Sequence, residues 1–216
     1  MKTVLLTGFE RFGAYDCNPT EDLVCSLDKT ELGGWHIQSM VLPIDIFPHR
    51  IGTDYGDSIV QHAIAHDVGA IVSFGLASDI QGFRMEKRAK NWIYNEKYCD
   101  PEDNHRVIDS RYPKRGKIEV PVTRINVPHM HKEFSERSVP FEEEISQNAN
   151  TYCCNAIMFL TLQALKAHRS AIPYFFFHIP CTAASVKSVV DFDPKKKLIS
   201  QEKLVSGTQI ILDSIN

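Results

Sequence analysis

The chain has 216 residues, 43% of them hydrophobic and 24% charged, with a formal net charge of -3. That is the composition of a soluble globular chain long enough to bury a large core. A slightly acidic balance with no basic stripe excludes nucleic acid and membrane surfaces as expected partners, and no apolar run approaches the ~20 residues that cross a bilayer.

Residues 4–7 read as a short buried strand, followed by Gly8-Phe-Glu-Arg-Phe-Gly13, where two glycines bracket a loop carrying two aromatics. Asn18-Pro-Thr20 looks like a turn opening a helix over 21–27, with Thr20 as its cap. Residues 35–42 read as a strand stopped by Pro43. Residues 54–66 carry Tyr55, Ile59, Ala63 and Ile64 on one helical face, and 69–74 form a continuous apolar strand ending at Gly75. Strand, helix and strand of this kind predict βαβ units and a mostly parallel twisted sheet in a single α/β domain over 1–216, with helices on both faces.

Residues 84–94 read as extended. Residues 95–117 are almost wholly polar, and a loop that long is expected to be a lid or mobile. A strand over 118–127, a short helix over 128–137 and a strand over 141–146 follow. A helix over 152–168 buries a stripe including Ile157, Leu160 and Leu165, and a strand over 174–179 comes next. A final helix covers about 203–215, weakened by Gly207.

Residues 2–6 are too short for a hydrophobic signal core. The six cysteines show no regular framework and no Cys-x-x-Cys pair. A reduced, cytoplasmic chain without zinc is expected. Among them, Cys154 falls in the first turn of the 152–168 helix, where the positive end of the backbone dipole favours thiolate. His178 ends the apolar run Tyr174-Phe-Phe-Phe-His178, at the carboxyl edge where open α/β sheets bind ligands. A helix start and a strand end meet at that edge, so thiol and imidazole are placed as nucleophile and base. Glu86 follows the 69–74 strand by a loop and is the candidate to orient the imidazole, with Asp79 as a local competitor.

Each residue also has a plainer reading. A cysteine at a helix start is commonly packing, a strand histidine commonly a satisfied core residue, and Glu86 among Arg84, Lys87 and Arg88 a solvated ion-pair partner. His62 and His66 have i, i+4 metal spacing but lack the zincin glutamate, so a surface face and no metal site are expected; His129 and His131 are expected to be exposed. Residues 8–13 lack the Lys-Ser/Thr of a phosphate loop.

Taken in order, four segments resemble the pyroglutamyl peptidase I family of cysteine peptidases. Leu6-Thr-Gly-Phe-Glu-Arg-Phe-Gly13 with Asn18-Pro-Thr20 is similar to the family's opening Thr-Gly-Phe-x-x-Phe-Gly and Asn-Pro-Ser/Thr. Gly75-Leu-Ala77 with Glu86, Ala89 and Asn91 resembles its Gly-Leu-Ala and Glu-x-x-Ala-x-Asn. Ser146, Ala149 to Asn155 and Phe177-His-Ile-Pro180 resemble its cysteine and histidine motifs.

The resemblance implies a Cys154–His178–Glu86 triad that removes amino-terminal 5-oxoproline from small peptides without cofactor or metal. It also implies a substrate slot of Phe9 and Phe12, an oxyanion held partly by the Cys154 N–H, and a homotetramer. An apolar slot suits an uncharged lactam and penalises a free ammonium. The chain departs from the pattern on one wall. Asp79-Ile80 stands where many members have Gly-Arg, and Trp92 to Lys97 replaces an Asp-Ala-Arg-Ile-Pro-Asp segment. The arginine of that segment supports the reacting oxygen; its position falls near Glu96, with Lys97 as the available substitute. Two rival readings follow: the same triad with another small acyl or lactam specificity, and a non-catalytic α/β protein that binds a small molecule.

Overall fold

A computed structural model describes all residues except 1, 49–51, 97–100, 102–103, 148, 191 and 194. The elements run β1 (Lys2–Phe9), α1 (Pro19–Leu27), β2 (Glu31–Leu32), β3 (Trp35–Leu42), α2 (Tyr55–Ala65), β4 (Val68–Leu76), β5 (Arg84–Glu86), β6 (Arg88–Lys90) and β7 (Lys117–Glu119). A 3-10 turn at Val122–Arg124 leads to α3 (Val127–Glu136), α4 (Cys153–Ala167), β8 (Tyr174–Ile179) and α5 (Gln201–Asp213).

The main sheet has the order β2-β3-β1-β4-β8-β5. Its four inner strands are parallel, and β2 and β5 are antiparallel edges. Parallel strands covered on both faces need continuous apolar sequence. Val4 to Leu6, Ala70 to Val72 and Tyr174 to Phe177 supply it, all fully buried. One layer pairs α2 with α4, and α1 packs against α5. α4 is buried almost all round rather than along one stripe: eleven of its residues, including Ile157, Leu160 and Leu165, are buried.

Several boundaries differ from the expectations. Asn18, not Thr20, caps α1: its Oδ1 accepts the Thr20 N–H at 3.1 Å, and Pro19 takes the first helical position. The Thr20 hydroxyl instead accepts the Phe9 N–H at 2.9 Å, tying the helix to the end of β1. Ile64 is exposed, because α2 turns its buried face through Ile59, Val60 and Ala63. The strand expected over 118–127 stops at Glu119, since Pro121 has no N–H to continue a ladder. Residues 141–146 form isolated bridges, Phe141 to Phe83 and Ser146 to Glu86, rather than a strand. Gly207 sits inside α5 because the Phe83 ring lies where its side chain would be, 2.4 Å from a Cβ.

Two buried asparagines fasten neighbouring segments to the core: Asn91 holds residues 109–113 and Asn155 holds residues 90–92. Asn91 donates through Nδ2 to the carbonyls of Asp109 at 2.8 Å, Tyr112 at 3.0 Å and Pro113 at 3.2 Å, and its Oδ1 accepts the Asp109 N–H at 2.9 Å. Asn155, the residue after Cys154, accepts the Lys90 N–H at 2.8 Å and donates to the carbonyls of Lys90 and Trp92 at 2.9 and 3.0 Å. It clamps the start of α4 to β6. Removing the Asn91 amide strands three carbonyls and an N–H, each costly when buried. Asn91→Ala is expected to lower stability by about 1–3 kcal/mol. It should also speed amide hydrogen exchange over 109–113, read by mass spectrometry, while β1 and β4 stay protected.

Candidate active site

The register of β5 on β8 builds the site. Arg84 lies opposite His178 and Glu86 opposite Phe176, while on the other side of β8 Gly75 lies opposite His178. Side chains directly across a ladder share a face, and so do residues two apart on one strand. Arg84, Glu86, Phe176, His178 and Gly75 therefore face the same side of the sheet.

On that side Glu86 is fully buried and His178 1% exposed. His178 Nδ1 lies 2.7 Å from Glu86 Oε1. Burial pushes the Glu86 carboxyl up, but hydrogen bonds from His178 and Ser146 and the His178 and Arg84 charges outweigh it and hold the group below the usual range. An ionised carboxylate only accepts, so the imidazole proton sits on Nδ1 and Nε2 carries the free lone pair.

Cys154 enters from above, on the first turn of α4. Tyr152 caps that helix without a side-chain hydrogen bond, and no acidic residue occupies the first turn. The first-turn N–H groups have no partner within the helix. Asn150 reaches this start with φ at 64°, the left-handed conformation that an asparagine tolerates. Sulfur and imidazole meet over Gly75. A side-chain carbon there would lie 2.8 Å from Cys154 Sγ and 3.1 Å from His178 Cδ2, the ring carbon bonded to Nε2. Thiol and base thus share one small volume, kept open by a glycine.

The thiol departs from the expectation of a thiolate. A hydrogen bond with Cys153, burial and the nearby Glu86 carboxylate push Cys154 well above its ordinary value. The backbone N–H of Cys154 acts in the expected direction and is outweighed. A thiol perturbed in this direction would need a base beside it to react.

A cavity of about 510 Å³ opens beside the sulfur. Phe9, Phe12, Cys154 and His178 all line it. Glu86 does not; it stands behind the imidazole. Asp79, the competitor for orienting the imidazole, lines the cavity instead, as does Glu96, which accepts from the Tyr94 hydroxyl. Among the described residues, no lysine or arginine lines it. Lys97 lies outside the described residues. Asn18, Ile44 and Tyr152 also line the cavity and were not singled out from sequence. Asn18 and Tyr152 fall within the Asn-Pro-Thr and cysteine motifs, and Ile44 within neither.

The plainer readings meet mixed fates. Lys87 and Arg88 do pair with a solvated carboxylate, Glu119, while Arg84 turns inward to Glu86. His62 and His66 stack on one another at 4.1 Å, and no cluster suited to a metal occurs among the described residues. His129 and His131 are half-buried rather than exposed, His131 lying edge-on to Phe141. Among the described residues, no helix is long and apolar enough to cross a membrane.

Comparison with known proteins gives one family. The family model described as pyroglutamyl peptidase matches residues 2–216. The pyrrolidone-carboxylate peptidase of Oceanobacillus iheyensis is 31% identical over 84% of this chain and 85% of its own. That of Deinococcus radiodurans is 26% identical over 100% of this chain and 94% of its own. Among solved structures, the pyrrolidone carboxyl peptidase of Thermococcus litoralis superposes with a TM-score of 0.77 at 24% identity, over 98% of this chain and 91% of its own.

Gly75→Ala tests the shared volume. The added methyl would force sulfur and ring apart, and a shift near 1 Å costs about 10²-fold. Turnover and Cys154 alkylation should both fall by that order, with the urea midpoint little changed.

Proposed function

The chain belongs to the pyroglutamyl peptidase family of cysteine peptidases, and we propose that it removes amino-terminal 5-oxoproline from small peptides through Cys154, His178 and Glu86. The observation that carries this reading is the convergence of the Cys154 sulfur and the His178 ring over Gly75, with Glu86 holding Nδ1.

The reaction is acyl transfer in two steps. His178 Nε2 takes the thiol proton as Cys154 Sγ attacks the pyroglutamyl carbonyl. The imidazolium then protonates the departing amine, leaving a thioester. Water, activated by the same imidazole, hydrolyses it. His178 serves as general base for that attack and as general acid for the departure of the amine. Glu86 fixes the imidazole and stabilises its cationic form, as the acid does in other triads. The Cys154 N–H at the open helix start is placed to hold the oxyanion. Phe9 and Phe12 receive the lactam ring, where an unpaired ammonium would be costly.

The same reading takes 1–216 as one cytoplasmic peptidase domain, working without metal or cofactor and assembling as a homotetramer. Asn95 and Glu96, at the start of the 95–117 segment, line the cavity. One observation favours a second reading, the same triad with a different small acyl or lactam group: Asp79 and Glu96 put two carboxylates on the cavity wall.

Release of a fluorophore from a pyroglutamyl amide separates the readings. The wild-type chain should turn it over, Cys154→Ala should lose about 10⁶-fold in kcat, and Glu86→Gln about 10⁴-fold by leaving the wrong tautomer. Alkylation of Cys154 without turnover of that amide points to the altered acyl group. A thiol no more reactive than free cysteine contradicts catalysis.

A further inference from the structure

The site has a fourth charged member. Arg84 Nε donates to Glu86 Oε1 at 2.8 Å, the same oxygen that accepts the His178 Nδ1–H at 2.7 Å. Only 14% of the Arg84 side chain is exposed and none of Glu86. Sequence places Arg84 two residues before Glu86 on one strand, so both face His178.

A buried carboxylate must be met by positive charge or take up a proton. Were the imidazole the sole partner of Glu86, the nearest remedy would be a second proton on His178. With the guanidinium on the same oxygen, the charge is already balanced and the imidazole has less call to ionise. An arginine cannot release its proton in the working range, so this balance is fixed.

We propose that Arg84 is a positioning residue that, by neutralising Glu86 through the shared oxygen, keeps the Cys154–His178 pair in its uncharged thiol–imidazole form at rest. This rests on the catalytic reading of Cys154 and His178. The other groups nearby do not supply the same charge. Glu142, from the segment beside β5, is 4.0 Å from Arg84 and 35% exposed, so its opposing pull is screened. Lys87 and Arg88 are engaged by Glu119. From α4, Cys153 and Cys154 face the imidazole side and bring no positive charge. Arg84 does not line the cavity, whose wall carries Asp79 and Glu96.

The experiment compares the wild-type chain with Arg84→Met, Arg84→Gln and Arg84→Lys from about pH 5 to pH 9. Two profiles are recorded: kcat/KM on a pyroglutamyl amide, and the rate of Cys154 alkylation by iodoacetamide, located by mass spectrometry. Without the guanidinium the pair holds its extra proton more tightly. The acid limb of both profiles should move up by about one pH unit or more. The plateau alkylation rate should rise, because the imidazolium–thiolate form gains, while kcat/KM does not rise with it. Gln keeps a donor without the charge and should behave as Met does; Lys should restore the limb. If one neutral variant fails to fold, by circular dichroism and urea midpoint, the other carries the test. Acid limbs unmoved in a folded neutral variant, or Lys no better than Gln, would overturn the proposal. So would failure of both neutral variants to fold, which assigns Arg84 to the fold alone. A wild-type chain showing no selective limb at Cys154 would sink the catalytic reading beneath it; a limb indifferent to residue 84 sinks only this inference.

Discussion

Glu86 is a carboxylate with no access to water, and it stays ionised because His178 and Arg84 donate to one of its oxygens and Ser146 adds a further hydrogen bond. Removing either leaves a buried charge unbalanced, which costs far more than the pair contributes in isolation. That requirement fixes much else. The donors can converge only if β5 runs antiparallel to β8 in the observed register. That register sets the imidazole beside Gly75, where the Cys154 sulfur also approaches. Asn155 then holds the start of α4 at the height that delivers the sulfur. Sheet register, a missing side chain and a buried amide thus cooperate to bring Cys154, His178 and Glu86 together.

The sheet was legible because its signals were strong. The run from Tyr174 to Ile179 and the run from Trp35 to Leu42 form strands over the same residues as expected. The placement of Cys154 and His178 at one edge followed from chain order alone, because a helix start and a parallel strand end share that edge. Short pieces were harder. Residues 141–146 are apolar only at Phe141 and Ile145, and beside a three-residue edge strand they make only isolated bridges. The cap of α1 was misassigned because Asn18 and Thr20 are both good caps, and a tertiary bond from Phe9 claimed the threonine. Gly207 reads as a helix weakness until Phe83, distant in sequence, is seen to occupy its space.

Electrostatics were the least legible. The dipole argument for Cys154 had the right sign, but the opposing terms come from Cys153 and Glu86, and their sizes depend on distances that no sequence encodes. Arg84 was visible as a neighbour of Glu86, yet nothing local distinguished it from Lys87 and Arg88, which face solvent and Glu119. Strand alternation is the signal that separates them: Arg84 is two residues from Glu86, Lys87 one and Arg88 two on the far side of a break between β5 and β6. The cavity wall is where this chain differs from the family pattern. Asp79 and Glu96 stand there, and the selectivity of the site depends on how a neutral lactam sits beside them.

The central claim is that Cys154 attacks a 5-oxoprolyl carbonyl with the imidazole of His178 beside it. The most direct measurement is a crystal structure of the chain with the aldehyde analogue of 5-oxoproline. The account predicts a hemithioacetal on Cys154 Sγ, the lactam ring against Phe9 and Phe12, and His178 Nε2 within hydrogen-bonding distance of the adduct. An adduct on Cys153, or an aldehyde left unreacted in a cavity that it enters, would contradict it.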